Sequence, residues 1–139
     1  MPRGLLRGLL IAVGAFNALS AVGGGIGLLT PGSMGLPTSI IDGSIFTSYL
    51  WPAIILIVVI GGTQAIATIA EVRRRPAAPF LAAVAGLGML IWIFVELAIL
   101  GGYSVLHGIY FATGTLQLIL TLGLLDVLPG AVRPARPDR

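Results

Sequence analysis

Apolar residues fill four long stretches of the chain, at about 5–29, 50–70, 77–101 and 109–128. A helix needs about 20 mostly apolar residues to cross a hydrocarbon core about 30 Å thick, and each stretch is long enough. Polar and small residues interrupt the stretches at helical spacing. Asn17, Ser20, Gly24 and Gly27 share one face of the first, and Gly61, Gln64, Thr68 and Glu71 share one face of the second. Trp92, Glu96, Ile99 and Tyr103 do so on the third, with Gly88 a turn earlier. Tyr110, Thr113, Gln117 and Thr121 do so on the fourth. Steps of three and four place such residues on one side of an α-helix. The pattern predicts an all-α integral membrane protein of four antiparallel helices, with polar seams turned inward and lipid around the rest.

Composition removes the soluble alternative. The chain is 57% hydrophobic and 9% charged, with a mean hydropathy of +1.05. A soluble domain is about 25% charged. Absence of cysteine excludes disulfides, thiolate metal sites and thiol redox chemistry.

Charge sets the orientation. All eight basic residues are arginines, at positions 3, 7, 73, 74, 75, 133, 136 and 139. In a four-span arrangement they all fall on one side. The positive-inside rule then puts both termini and the middle turn in the cytoplasm, with the chain in the inner (plasma) membrane. Tyr49, Trp51, Tyr103 and Tyr110 fall at the opposite, outer ends, where aromatic rings favour the headgroup level. The basic excess is read as attraction to anionic lipid and not as nucleic-acid binding, since no basic or aromatic groove accompanies it. Residues 129–139 read as a flexible basic tail. Arg3, Arg7 and the apolar run after them also resemble a signal peptide, but the run continues to Leu29, which favours an uncleaved span.

Candidate chemistry is sparse. Glu96 is the one acid well inside a stretch, roughly 8–9 Å below the outer boundary at 1.5 Å per residue. An ionised carboxylate there is costly, so Glu96 must be protonated, paired or facing water. Thr113 and Gln117 reach the same depth and are its expected partners, Ser20 and Gly24 of the first helix reach a similar level, and Asn17 completes the candidate polar site with Glu96, Gln117, Thr113 and Ser20. Two roles remain open: a neutral acid tying helices together, or a proton or cation site. His107, the only histidine, is expected in an exposed outer turn. The 18 residues 31–48 form a long, still apolar outer loop, read as a short amphipathic helix or cap. With His107, its Asp42 and Phe46 are the candidate outer contacts. Glu71 and Asp126 sit at inner helix ends and need arginine partners there. Small residues, Gly23-xxx-Gly27 among them, fit close helix packing.

No phosphate-binding glycine loop, G-x-S-x-G, H-E-x-x-H or C-x-x-C motif occurs, so neither an enzyme nor a cofactor or metal site is expected. Leu36-Pro37-Thr38-Ser39, followed by Asp42-Gly43-Ser44-x-Phe46-x-Ser48-Tyr49-Leu50-x-Pro52, resembles a pattern in small uncharacterised four-span bacterial inner-membrane proteins. In size and topology the chain is also similar to DoxX-like proteins and to the small multidrug exporters. The exporters carry their glutamate in the first span, whereas here it lies in the third. The resemblance implies the fold and the membrane, not an activity. The expected role is a non-catalytic accessory or assembly protein, in contact with lipid and with a copy of itself or another membrane protein. The alternative is a proton-coupled small-solute transporter or channel using Glu96.

Overall fold

The structure is a computed structural model that describes residues 2–127. Four helices account for its spans: α1 (Arg3–Leu29), α2 (Leu50–Val72), α3 (Ala78–Leu100) and α4 (Val105–Leu124). All four are long and apolar enough to cross a membrane. The proposed tail, 129–139, lies outside the described residues.

The four pack as one antiparallel bundle, α1 against α2 and α4, and α3 against α2 and α4. Their outward surfaces carry Leu19, Val58, Phe80, Ile91 and Phe94, each more than half exposed. Large apolar side chains turned out all round are expected where lipid replaces water.

The interior is built from small and amide side chains. α1 buries Leu10, Gly14, Asn17, Ala21 and Gly25. α3 presents Ala78, Ala82, Ala85 and Gly86. Such a wall lets a neighbour approach its backbone. Gln64 Nε2 of α2 donates to the Ala85 carbonyl (3.1 Å), and Gln117 Nε2 of α4 donates to the Ala82 carbonyl (3.1 Å). A helical carbonyl already bonded along its helix still has a second lone pair for this. Asn17 Nδ2 in turn donates to Gln117 Oε1 (3.3 Å). All three amides are essentially fully buried, and together they fix the relative rotation of the four helices.

Of the Gly23-xxx-Gly27 pair only Gly27 is closely met, by Met34 of the outer loop, and the helix-to-helix contact uses other glycines. A Cβ on Gly23 would meet nothing within 4 Å. A Cβ on Gly25 would lie 2.9 Å from the Ala53 carbonyl oxygen, and one on Gly61 would lie 2.8 Å from Val22 Cγ2. These two glycines seat α1 against α2. The buried centre of α1 is the Asn17–Ala21–Gly25 line, one position round from the Ser20–Gly24–Gly27 face.

α2 contains a π-helical stretch, Ile55–Gly61. Such wide turns are uncommon and cluster at functional sites. α3 ends at Gly101 in the left-handed region (φ 61°), whose N–H closes on the Leu97 carbonyl (3.1 Å).

At the end carrying the described arginines, Arg3 pairs with Asp126. Arg7 Nε donates to Glu71 Oε2 at 2.9 Å. The acids at the C-terminal ends of α2 and α4 therefore find their cations on α1, not in the adjacent Arg73–Arg74–Arg75 turn. α1 brings its N-terminal arginines beside both ends.

The outer loop is not an amphipathic helix. It forms two short 3-10 turns, Ser33–Gly35 and Thr38–Ile41. Pro31 and Pro37, with left-handed Gly32, Gly35 and Gly43, break any longer helix. The loop still caps the bundle. Ile41 is buried, and the Tyr49 hydroxyl donates to the Pro37 carbonyl (2.8 Å). Tyr49 is thus a buried strut and not a headgroup anchor, and burial pushes its phenol pKa above the usual value.

Candidate functional site

The fourth helix begins at Val105, four residues before its expected start. Ser104, extended at φ −123° and ψ 160°, is its N-cap, and His107 takes the third helical position. The Ser104 backbone N–H donates to His107 Nδ1 (3.1 Å), and the Ser104 hydroxyl lies 2.8 Å from the same nitrogen. A backbone N–H can only donate, so Nδ1 is the acceptor and, in the neutral ring, Nε2 carries the proton.

This places His107 inside, 6% exposed, where an exposed turn was expected. The physical reason is the helical period. His107, Tyr110, Gly114, Gln117 and Thr121 step by three and four, so the stripe read upward from Gln117 passes through Tyr110 to His107.

His107 Nε2 lies 3.6 Å from Glu96 Oε2. That is a close polar pair, longer than a direct hydrogen bond. Glu96 therefore faces His107, not Thr113 or Gln117. Thr113 turns its hydroxyl back to the Tyr110 carbonyl of its own helix (3.2 Å), and Gln117 is committed to Ala82 and Asn17 deeper in the bundle. Five of the residues named from the sequence thus divide into two sites. Asn17 and Gln117 form a sealed central layer. Glu96, His107 and Ser20 line an outer cavity, and Thr113 belongs to neither.

That cavity has a volume of about 530 Å³. Its floor is Ile60 and Met89, its walls come from all four helices, and Met34, Leu36 and Ile40 of the outer loop cover it. Leu56 and Ile60 come from the π-helical stretch. Most of the lining is apolar. The polar exceptions cluster around Glu96, His107, Trp92, Tyr103 and Tyr110. The Trp92 indole Nε1 is buried with no hydrogen-bond partner among the described residues. A second, small cavity of about 70 Å³ also touches Trp92 and Glu96 and is lined by Phe46, Ile41 and Tyr49. Phe46 thus packs beside the site, whereas Asp42 is exposed on the loop.

Below the cavity the bundle is closed. The Asn17–Gln64–Gln117 layer fills its middle, and the Glu71–Arg7 pair its far end. No group of three metal-ligating side chains occurs among the described residues. Clefts of roughly 300–1,000 Å³, mostly apolar with a few converging polar groups, are the usual shape of small-molecule sites. The outer cavity has that size and that lining.

No family profile, curated protein or solved structure matches the chain.

Proposed function

We propose that the protein is a non-catalytic accessory protein of the bacterial inner membrane that holds a small, mainly apolar molecule in the outer half of its bundle. The observation that carries this reading is the cavity of about 530 Å³ with Glu96 and His107 as its converging polar pair. Both termini and the arginine turn face the cytoplasm in this reading, following the positive-inside rule, so the cavity faces the outer leaflet. The outer loop both covers the cavity and offers Asp42 to a membrane-protein partner or a second copy of the chain.

Proton-coupled transport is the second reading, favoured by one specific observation. Asn17 Oδ1, Gln64 Oε1 and Glu71 Oε1 are buried acceptors without partners among the described residues, in the layers beneath the cavity. In transport, these acceptors would hold waters carrying protons between Glu96 and the cytoplasm once the closed layer parts.

Native mass spectrometry of the protein, gently extracted from its own membrane, separates the readings. The accessory reading expects one small molecule retained per chain by the wild type and lost from Ser20→Phe, which fills the cavity. Ligand-free wild type, with liposome flux that Glu96→Gln abolishes, supports transport instead. A ligand-free protein without flux refutes both.

A further inference from the structure

We infer that the cavity selects a neutral lipophile bearing a hydrogen-bond-accepting oxygen, a ketone or related carbonyl compound, over charged molecules. This rests on the ligand-binding reading above and adds the chemistry of the ligand.

The first argument is charge. The ionisable side chains lining the cavity are Glu96, His107, Tyr103 and Tyr110, with no arginine among them; the chain contains no lysine. The described arginines near an acid, Arg3 and Arg7, pair at the opposite end of the bundle. A net charge held in an apolar setting without a counter-ion is strongly disfavoured. With His107 Nδ1 accepting from the Ser104 N–H, the ring is neutral, and a protonated Glu96 beside it leaves the pair without net charge. An entering cation then meets no uncompensated carboxylate, and an entering anion meets no cation.

The second argument is the surplus of donors. With Nδ1 occupied by Ser104, the neutral His107 ring offers its Nε2–H, and Glu96 at 3.6 Å is too far to satisfy it directly. The Trp92 N–H lines the same space beside the Glu96 carboxyl and is shielded from bulk water, yet no acceptor among the described residues comes close enough to satisfy it. A buried donor left unpaired is costly, and the cost is recovered when a ligand supplies the acceptor. A carbonyl oxygen has two lone pairs and no proton to place, so it suits two such donors. The remainder of the lining, Leu56, Ile60, Met89 and Ile93 among it, requires an apolar body.

Benzophenone tests this directly, because it is a neutral aryl ketone that also photo-cross-links to nearby C–H bonds. The full chain in lipid nanodiscs is irradiated with benzophenone, and the labelled residues are mapped by mass spectrometry. Labelling of lipid-facing Phe80 normalises for partitioning into the bilayer. The expected result is saturable labelling at Met89 and Met34, with diphenylmethane, which has the same shape without the oxygen, competing about tenfold less well. Benzophenone-4-carboxylate and (4-benzoylbenzyl)trimethylammonium should label these positions more weakly than the neutral ketone. Trp92→Phe should narrow the gap between ketone and hydrocarbon. If that variant does not fold, the wild-type competition decides alone.

Equal competition by diphenylmethane, or stronger labelling by either charged ketone, overturns the inference while leaving a ligand-binding cavity in place. Labelling confined to the lipid-facing surface overturns both.

Discussion

Glu71 is a carboxylate with a side-chain exposure of 1%, and the cation that reaches it, Arg7, is 32% exposed. Replacing Arg7 with methionine keeps the apolar length of the side chain and removes the charge. The remaining carboxylate is then buried at the C-terminal end of α2, where the helix dipole also opposes it. Breaking a buried ion pair by removing one partner costs about 3–5 kcal/mol. Arg7 is about one-third exposed and partly screened, which lowers the expected loss for Arg7→Met to about 2–3 kcal/mol. Against a total stability of about 5–15 kcal/mol, that is a large change. Glu71→Gln should cost less, about 1 kcal/mol, because a neutral amide remains and Arg7 can reach the lipid headgroups. The double variant Arg7→Met/Glu71→Gln should be more stable than Arg7→Met alone. Arg3 and Asp126, both more than half exposed, provide the internal control, and Arg3→Met should change stability by less than about 1 kcal/mol. Equilibrium unfolding in mixed micelles, titrated with a denaturing detergent and followed by circular dichroism, measures all four. Arg7→Met indistinguishable from Arg3→Met, or a double variant less stable than Arg7→Met, would refute the reasoning.

Three further outcomes are expected. Gly25→Val places its Cβ 2.9 Å from the Ala53 carbonyl oxygen and should cost about 1–3 kcal/mol in the same unfolding assay. Gly23→Val, whose Cβ meets nothing, should stay near wild type, and equal losses at both would contradict the helix contact. Gln117→Leu removes two hydrogen bonds and strands Asn17, at an expected cost of about 1–2 kcal/mol given the modest value of such bonds in membranes. Adding Asn17→Val should not deepen the loss, because the stranded amide is gone; a fully additive loss would show that the two amides do not act together. The chain has no cysteine, so single cysteines report topology cleanly. In intact cells a membrane-impermeant thiol reagent should label Thr47→Cys and spare Arg75→Cys, and the reverse pattern would invert the orientation.

The spans and their antiparallel order were legible because hydrophobic length and the one-sided arginines are properties of the chain itself. The face of α2 was legible too, since Gly61, Gln64 and Glu71 are among the residues its helix buries, with Thr68 half-buried beside them. Glu96 stood out as costly, but its partner did not. A conventional reading puts the glycine, tyrosine and serine before Val105 in a turn and stops at Tyr110, whereas the Ser104 cap extends α4 and carries His107 inward. The three-and-four spacing from Gln117 back to His107 was the available signal. Which glycines touch a neighbour was not legible, because Gly23, Gly24, Gly25 and Gly27 are equally small and only the rotation of α1 brings Gly24 and Gly25 against α2 and Gly27 against Met34, leaving Gly23 open. The cavity was also hidden, since it arises where four helices and a loop fail to fill space together. No single segment encodes that.

The central claim is that the outer half of the bundle contains an accessible, largely dry, ligand-sized space beside Glu96 and His107. Apolar cavities take up xenon, and xenon scatters X-rays anomalously. Crystals of the protein pressurised with xenon should show an anomalous peak among Leu56, Ile60, Met89 and Trp92, and Ser20→Phe should weaken it. Helices closed over that position, with xenon found only on the lipid-facing surface, would contradict the account.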